Sequence, residues 1–129
     1  MKYIPEQTKQ EIDEMVFHRQ WKRLLTATFI LNSLLRADSY GNQIERDIFT
    51  LTKFAYRPNP NEMYPVLHFL EEREYVKSQW LSPNKRSKRI YSITKKGKDA
   101  VPYMKLQVLA WAKNLHNLID TIETEFKVD

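Results

Sequence analysis

The residues in this sequence with the clearest chemical capacity are lysines and arginines that cluster in one short stretch. Between Tyr75 and Lys98 there is no Asp or Glu, and eight of the chain's 21 cations lie there. The remaining 13 cations are outnumbered by the 16 acids, so this stretch carries the whole excess behind the net charge of +5. Such a patch is typical of a surface that binds a polyanion. The alternative is a solvated, lysine-rich hairpin that protects a strand edge from aggregation.

The cations belong to a helix–strand–turn–strand pattern that runs from Tyr56 to Thr94. Asn59 is a suitable N-cap and Pro60 suits the first helical position, so a helix is predicted from Asn59 to Glu74. Residues 75–81 and 88–94 alternate in character, which predicts two strands joined by the polar turn 82–87. In a winged helix-turn-helix, a helix in this position enters a DNA groove and the hairpin, or wing, grips the flanking backbone.

The predicted helix has an apolar face and a polar face. Residues spaced three or four apart on the apolar face are expected in the core: Met63, Val66, Leu67 and Leu70. The opposite face carries Asn61, Tyr64, Pro65 and His68. The alternative is an ordinary amphipathic helix whose polar face is merely solvated.

Polar groups on this helix are candidate DNA contacts. Asn59 or Asn61 would address adenine, and His68 a guanine acceptor or a phosphate. Glu62 either accepts from cytosine or serves as an acid at the helix N-terminus. Tyr64 either bonds a phosphate or packs under the wing. The wing cations expected to neutralise phosphates are Lys85, Arg86, Lys88 and Arg89.

Three further helices are predicted around this segment. Residues 6–20 are expected to be helical. The apolar spacing from Phe17 to Leu35 predicts a buried helix, and its continuity with the first one is left open. A short helix is predicted from Tyr40 to Leu51, capped by Asp38 or Ser39, with close packing at Gly41.

The C-terminal region is predicted to be a dimerisation helix. Its apolar residues are spaced alternately three and four apart, a seam of three heptads: Val101, Met104, Val108, Trp111, Leu115, Leu118 and Ile122. Pro102 is expected to kink or restart the helix that Thr94 caps. Pairing with a second chain would cover the seam. The alternative is that the N-terminal helix of the same chain covers it, and whether that helix packs in cis or across the dimer is left open.

The expected fold is mainly α with a small β-hairpin. Residues 1–21 form an N-terminal arm, residues 22–100 a winged helix-turn-helix, and residues 101–129 the C-terminal dimerisation helix.

Other functional classes find little support. The chain has no cysteine and only two glycines, so neither a thiol site nor a glycine-rich phosphate loop is expected. The three histidines, His18, His68 and His116, fall on different predicted helices without metal-ligand spacing. No catalytic residue, metal site or cofactor is predicted. No apolar run approaches the roughly 18 residues of a membrane span, and a cytoplasmic location without membrane contact is expected.

With these residues in view, the chain resembles the PadR family of bacterial transcription regulators over roughly residues 24–100. The resemblance lies in Tyr40-Gly41-Asn42-Gln43-Ile44, in residues 58–65 with Leu67 and Leu70-Glu71, and in residues 88–97. Asn61 and Glu62 depart from the small residues usual in the family. Some members place a tryptophan of the last helix at the dimer centre, where it stacks on flat aromatic ligands. The resemblance implies this role for Trp111, with plain core packing as the alternative.

Together these features predict a homodimer that reads a palindromic operator in double-stranded DNA, a repressor relieved by a small ligand. The alternative is a winged-helix module that binds protein and not DNA.

Overall fold

The computed structural model describes residues 4–81 and 88–128. The described part contains five helices and three strands. They are, in chain order, α1 (Glu6–Phe17), α2 (Trp21–Leu34), β1 (Ser39–Tyr40), α3 (Gly41–Leu51), α4 (Pro60–Glu72), β2 (Val76–Trp80), β3 (Arg89–Ile93) and α5 (Lys95–Glu125). The predicted class, mainly helical with a small antiparallel sheet, is confirmed.

The first two helices are separate. Arg19 adopts a left-handed conformation with φ 55°, and the amide of Gln20 donates a 2.8 Å hydrogen bond to the carbonyl of Met15. These two features form a helix-ending motif that reverses the chain. Phe17, which we expected in the buried stripe of α2, is instead 81% exposed. The reason is that it ends α1 and so does not continue the apolar face of α2.

Helix α2 lies at the centre of the core. Leu24, Ala27, Ile30 and Leu31 are completely buried, and α2 contacts each of the other four helices. A helix surrounded in this way requires apolar residues on more than one face. The hydroxyl of Thr28, also buried, donates to the carbonyl of Leu24 at 2.7 Å, so its polar group is satisfied inside the core.

The helix predicted from Tyr40 to Leu51 is α3, and it begins one residue later than expected. Tyr40 pairs with Ile90 as part of β1, so it precedes α3. The predicted cap by Asp38 or Ser39 is wrong, since no side chain caps this helix. Ser39 and Tyr40 are instead drawn into the sheet, because β3 offers them an unpaired edge.

The predicted hairpin is therefore part of a three-stranded antiparallel sheet in the order β1-β3-β2. Within it, β2 and β3 pair from Val76 opposite Ile93 to Trp80 opposite Arg89. Lys85 and Arg86, predicted to be phosphate contacts, lie outside the described residues. Residues 88–93 hold the described second half of the wing.

Helix α5 is unbroken from Lys95 to Glu125, with Pro102 inside it. Pro102 therefore neither ends nor restarts the helix, and the proposed boundary between residues 100 and 101 falls within it. Thr94 caps α5 as predicted, since its hydroxyl accepts from the amide of Gly97 at 3.1 Å. Gly97 permits a close approach, because a Cβ there would lie 2.3 Å from the carbonyl oxygen of Tyr75.

The N-terminal helix packs against its own chain. Ile12 and Met15 are buried in the same core as Val101 and Met104 of α5. Polar contacts reinforce this packing, since the hydroxyl of Tyr75 donates to Glu11 and that of Tyr103 donates to Asp13. Burial and the neighbouring Glu11 both raise the pKa of Tyr75, so this phenol stays a donor. The N-terminal half of the seam is thus covered in cis.

Candidate nucleic-acid interface

Helix α4 presents the predicted polar face to solvent. Asn61, Tyr64 and His68 are all exposed, and half of the Tyr64 surface is accessible. The opposite face is anchored in the core by four side chains that are each at most 6% exposed: Met63, Val66, Leu67 and Leu70. This division follows directly from the three-and-four spacing of the apolar residues.

Two other candidates on α4 already have partners within the chain. The side-chain oxygen of Asn59 accepts from the amide of Glu62 at 3.1 Å, which makes Asn59 the N-cap of the helix. The carboxylate of Glu62 lies 2.6 Å from the ammonium of Lys22 at the start of α2. This hydrogen bond and the negative charge of Glu62 raise the pKa of Lys22. Asn59 and Glu62 therefore fix the beginning of α4.

A cleft of about 550 Å³ separates the exposed face of α4 from the sheet. The cleft is lined by aromatic, cationic and polar side chains, which include Tyr40, Asn42, Tyr64, His68, Trp80 and Lys88. The ring of Tyr64 lies so near α3 that a Cβ on Gly41 would meet it at 3.2 Å. The close packing predicted at Gly41 is confirmed, and Tyr64 is positioned inside the cleft beside the wing strands.

The two described wing cations differ in their surroundings. Lys88 is exposed, with its ammonium 5.5 Å from the centre of the Tyr40 ring. The guanidinium of Arg89 lies 4.9 Å from the ring centre of Trp80 and 3.9 Å from the carboxylate of Glu71. Both cations lie near an aromatic ring, but of the two Arg89 also has an acid partner, so Lys88 is the more available to an anion.

Sequence reasoning did not single out Tyr40, Asn42 or Trp80 as site residues. Tyr40 and Asn42 flank Gly41, and Trp80 ends the strand that leads into the wing. Their positions beside Gly41 and at the end of this strand were the sequence signal that could have identified them as site residues. What was missing was the pairing of β1 with β3, which brings Tyr40 up to Lys88.

The seam of α5 divides into a covered and an uncovered half. Val101 and Met104 are buried, and Val108, Trp111 and Leu115 are partly buried. Leu118 and Ile122 are 53% and 43% exposed. The ring of Trp111 stacks on that of Trp21 from the same chain, with centroids 5.6 Å apart and planes only 7° from parallel. One face of Trp111 is therefore already occupied.

Neither a metal site nor a membrane span is found where the structure describes the chain. Within residues 4–81 and 88–128, no three His, Asp or Glu side chains are grouped closely enough to hold a metal ion. No helix in the same ranges has the length and apolar character needed to cross a membrane.

Comparison with known proteins finds similarity to transcription regulators. The transcriptional regulator YqjI of Escherichia coli (strain K12) is 40% identical over 47 residues, which are 36% of this chain and 23% of that protein. The match thus spans less than a quarter of the relative. A transcriptional regulator from Clostridium thermocellum is 28% identical with a TM-score of 0.58, over 82% of this chain and 96% of the other. A PadR-like transcription factor from Bacteroides fragilis shares the fold, with 18% identity, a TM-score of 0.56, and coverage of 82% and 97%.

The family comparison covers the part of the chain that holds the candidate interface. Residues 30–102 match the family described as transcriptional regulator PadR-like. This range is more than half of the chain and contains α3, α4 and both wing strands. Proteins of this family are transcription regulators and not enzymes. The chain belongs to the PadR-like family of transcriptional regulators.

Proposed function

We propose that this regulator is a homodimer that binds a palindromic operator in double-stranded DNA and acts as a repressor relieved by a small ligand. The observation that carries the proposal is the exposed face of α4, where Tyr64 and His68 line one cleft with the exposed cation Lys88. Asn61 is exposed on the same face of the helix. Groups that read base edges and groups that bind phosphate are both needed for sequence-specific binding, and here they border one cleft.

The role that we expect for each residue in DNA binding depends on whether its side chain already has a structural role within the chain. Asn61 and His68 are the base-reading residues, because their polar groups face solvent on the helix that enters the groove. Tyr64 bonds a phosphate from the cleft. Asn59 and Glu62 act indirectly, since they hold the start of α4 through the cap and through Lys22. The wing supplies phosphate contacts through Lys85, Arg86 and Lys88.

The uncovered half of α5 supports dimerisation. Its apolar surface continues towards the C-terminal end of the helix, and its exposed members are Leu118, Ile119 and Ile122. Exposed apolar surface of this extent on one helix is typical of an interaction face. A two-fold dimer through this face would present two copies of α4 to the two half-sites of a palindrome. Residues 101–129 then serve as the dimerisation helix, residues 22–100 as the DNA-binding part, and residues 1–21 as an N-terminal arm whose helix α1 packs in cis.

The effector would be a flat aromatic compound that binds near Trp111 and alters the spacing of the two α4 helices. Trp21 covers one face of Trp111, so the compound must use the other face or displace Trp21. Titration of planar aromatic dyes should quench tryptophan fluorescence, and Trp111→Ala should remove that quenching. Quenching that persists in Trp111→Ala would reduce Trp111 to a packing residue.

The test of the main proposal is DNA binding as a function of salt. Fluorescence anisotropy with the DNA upstream of the protein's own gene should show tight binding that weakens steeply as salt rises, because bound cations release counterions from DNA. Random DNA of equal length is the control and should bind more weakly. No binding to either DNA at low salt would favour the alternative, a winged-helix module that binds protein.

A further inference from the structure

The last turn of α4 and both strands of the wing meet at one carboxylate. The hydroxyl of Ser78, on β2, donates a 2.5 Å hydrogen bond to Oε2 of Glu71. On β3, Nη2 of Arg89 lies 3.9 Å from the same oxygen. A single side chain of α4 therefore connects the helix that faces DNA to each of the two strands that carry the wing.

Arg89 is held from two directions. It pairs across the sheet with Trp80, and its guanidinium lies 4.9 Å from the centre of the Trp80 ring. The carboxylate of Glu71 stands on another side of the guanidinium, and the side chains of Arg89 and Glu71 are 41% and 30% exposed. The ring and the acid together restrict the rotamers of a side chain that would otherwise be free.

The negative charge of Glu71 lies where it would be unfavourable for DNA binding. No acid occurs from Tyr75 to Lys98, yet Glu71 places a negative charge at the base of this cationic segment. An unpaired carboxylate there would repel phosphate. Arg89 offsets the charge of Glu71, and the hydrogen bond from Ser78 gives the carboxylate a fixed orientation. Both observations indicate a structural role for this acid.

We propose that Glu71 is a positioning residue for DNA binding, which holds the wing at a set angle to α4 through Ser78 and Arg89. Arg89 then acts within the protein and is not a phosphate contact. This inference rests on the proposed DNA-binding function. In physical terms, Lys88 reaches the DNA backbone only when the two strands keep their orientation relative to α4.

The first test compares Glu71 with a nearby acid whose side chain takes no part in the link to Ser78 and Arg89. Glu71→Gln should weaken operator binding by roughly threefold to tenfold, because it removes a half-exposed ion pair and leaves only a neutral acceptor for the hydroxyl of Ser78. Glu74→Gln is the control, because it removes the same charge from an exposed position just past α4. It should leave binding unchanged or slightly tighter. Equal or tighter binding by Glu71→Gln as well would overturn the proposal.

The second test separates a positioning role of Arg89 from a phosphate contact. Arg89→Ala should leave the salt dependence of binding unchanged, and it should add little to the loss of affinity already caused by Glu71→Gln. A phosphate contact would lower the slope of log K against log salt by about one. A reduced slope in Arg89→Ala, or fully additive losses of affinity, would contradict the assignment.

The third test needs no DNA. Amide hydrogen exchange in residues 76–80 and 89–93 of the free protein should speed up in Glu71→Gln relative to Glu74→Gln, because the link between the sheet and α4 loses its ion pair and its charged hydrogen bond. Unchanged exchange would overturn the link. If the unaltered protein bound no DNA, the proposed function would fail, while this comparison would still decide whether Glu71 holds the wing.

Discussion

Single side chains on α4 separate into those that build the helix and those that face outward. Asn59 and Glu62 are engaged by the helix N-terminus and by Lys22. Asn61 lies between them in sequence, and its side chain points to solvent. The departure from the small residues usual in the family therefore places an exposed amide at position 61, whereas at position 62 it adds an ion pair between α4 and α2.

This division predicts a selective effect of Asn61→Ala. Removal of a bidentate hydrogen bond to a base should cost about 1–3 kcal/mol on the operator and little on random DNA. Asn117→Ala, an exposed asparagine on α5, is the control and should change neither affinity. Parallel anisotropy titrations on both DNAs measure the difference. Equal reductions on operator and random DNA would assign Asn61 to the DNA backbone.

The two glycines allow a second prediction at the same scale. Gly97→Ala should destabilise the fold by about 1–3 kcal/mol or more, because its Cβ would meet the backbone oxygen of Tyr75 at 2.3 Å. Gly41→Ala should cost less, since its Cβ meets only the ring of Tyr64, which can move. Urea denaturation measures both. Similar midpoints for the two variants would contradict this difference in packing.

At the scale of elements, α4 is fixed at both ends. Asn59 caps its start, and Glu74 ends it in a left-handed conformation with φ 65°. The amide of Tyr75 then donates to the carbonyl of Leu70 at 2.8 Å, which turns the chain directly into β2. The end of α4 and the first strand of the wing are therefore joined by one tight, hydrogen-bonded turn.

The wing as an element should contribute affinity without sequence preference. The triple variant Lys85→Ala, Arg86→Ala and Lys88→Ala should weaken binding to operator and random DNA about equally. The slope of log K against log salt should fall by roughly one for each phosphate that the variant no longer neutralises. Lys113→Ala, an exposed lysine on α5, is a suitable control. Unchanged affinity and slope in the triple variant would show that the wing does not bind DNA.

At the scale of the whole molecule, α5 belongs to two environments. Its first turns sit in the core with α1 and α2, where Val101 and Met104 are buried. Its last turns leave Leu118 and Ile122 largely uncovered. The first part of α5 is thus packed within one chain, whereas the second part leaves apolar side chains exposed.

Leu118→Glu should therefore produce monomers that remain folded. A buried charge without a partner would cost several kcal/mol per chain in a dimer interface, whereas the same charge in a monomer faces water. Asn117→Glu adds an identical charge at the neighbouring position, which lies outside the apolar seam, and should leave the dimer intact. Sedimentation gives the mass, and operator affinity should fall for Leu118→Glu alone. A Leu118→Glu variant that sediments as a dimer would contradict the proposed interface.

Features set by near neighbours in the chain were predictable from the sequence. The caps by Asn59 and Thr94 depend on residues three positions away. The buried face of α4 depends only on helical spacing, and the cationic wing only on composition. These signals were enough to predict the class of fold and the family, both of which the comparisons confirm.

Tertiary packing selects which distant side chains meet. Lys22 lies 40 positions from Glu62, and neither helix contains a signal for the other's charge. The stack of Trp21 on Trp111, the pairing of β1 with β3 and the link from Glu71 to Arg89 likewise join separate segments. Local periodicity determines which face of an element is buried. The neighbour it meets there depends on how all the elements pack together, because many partners satisfy the same apolar face.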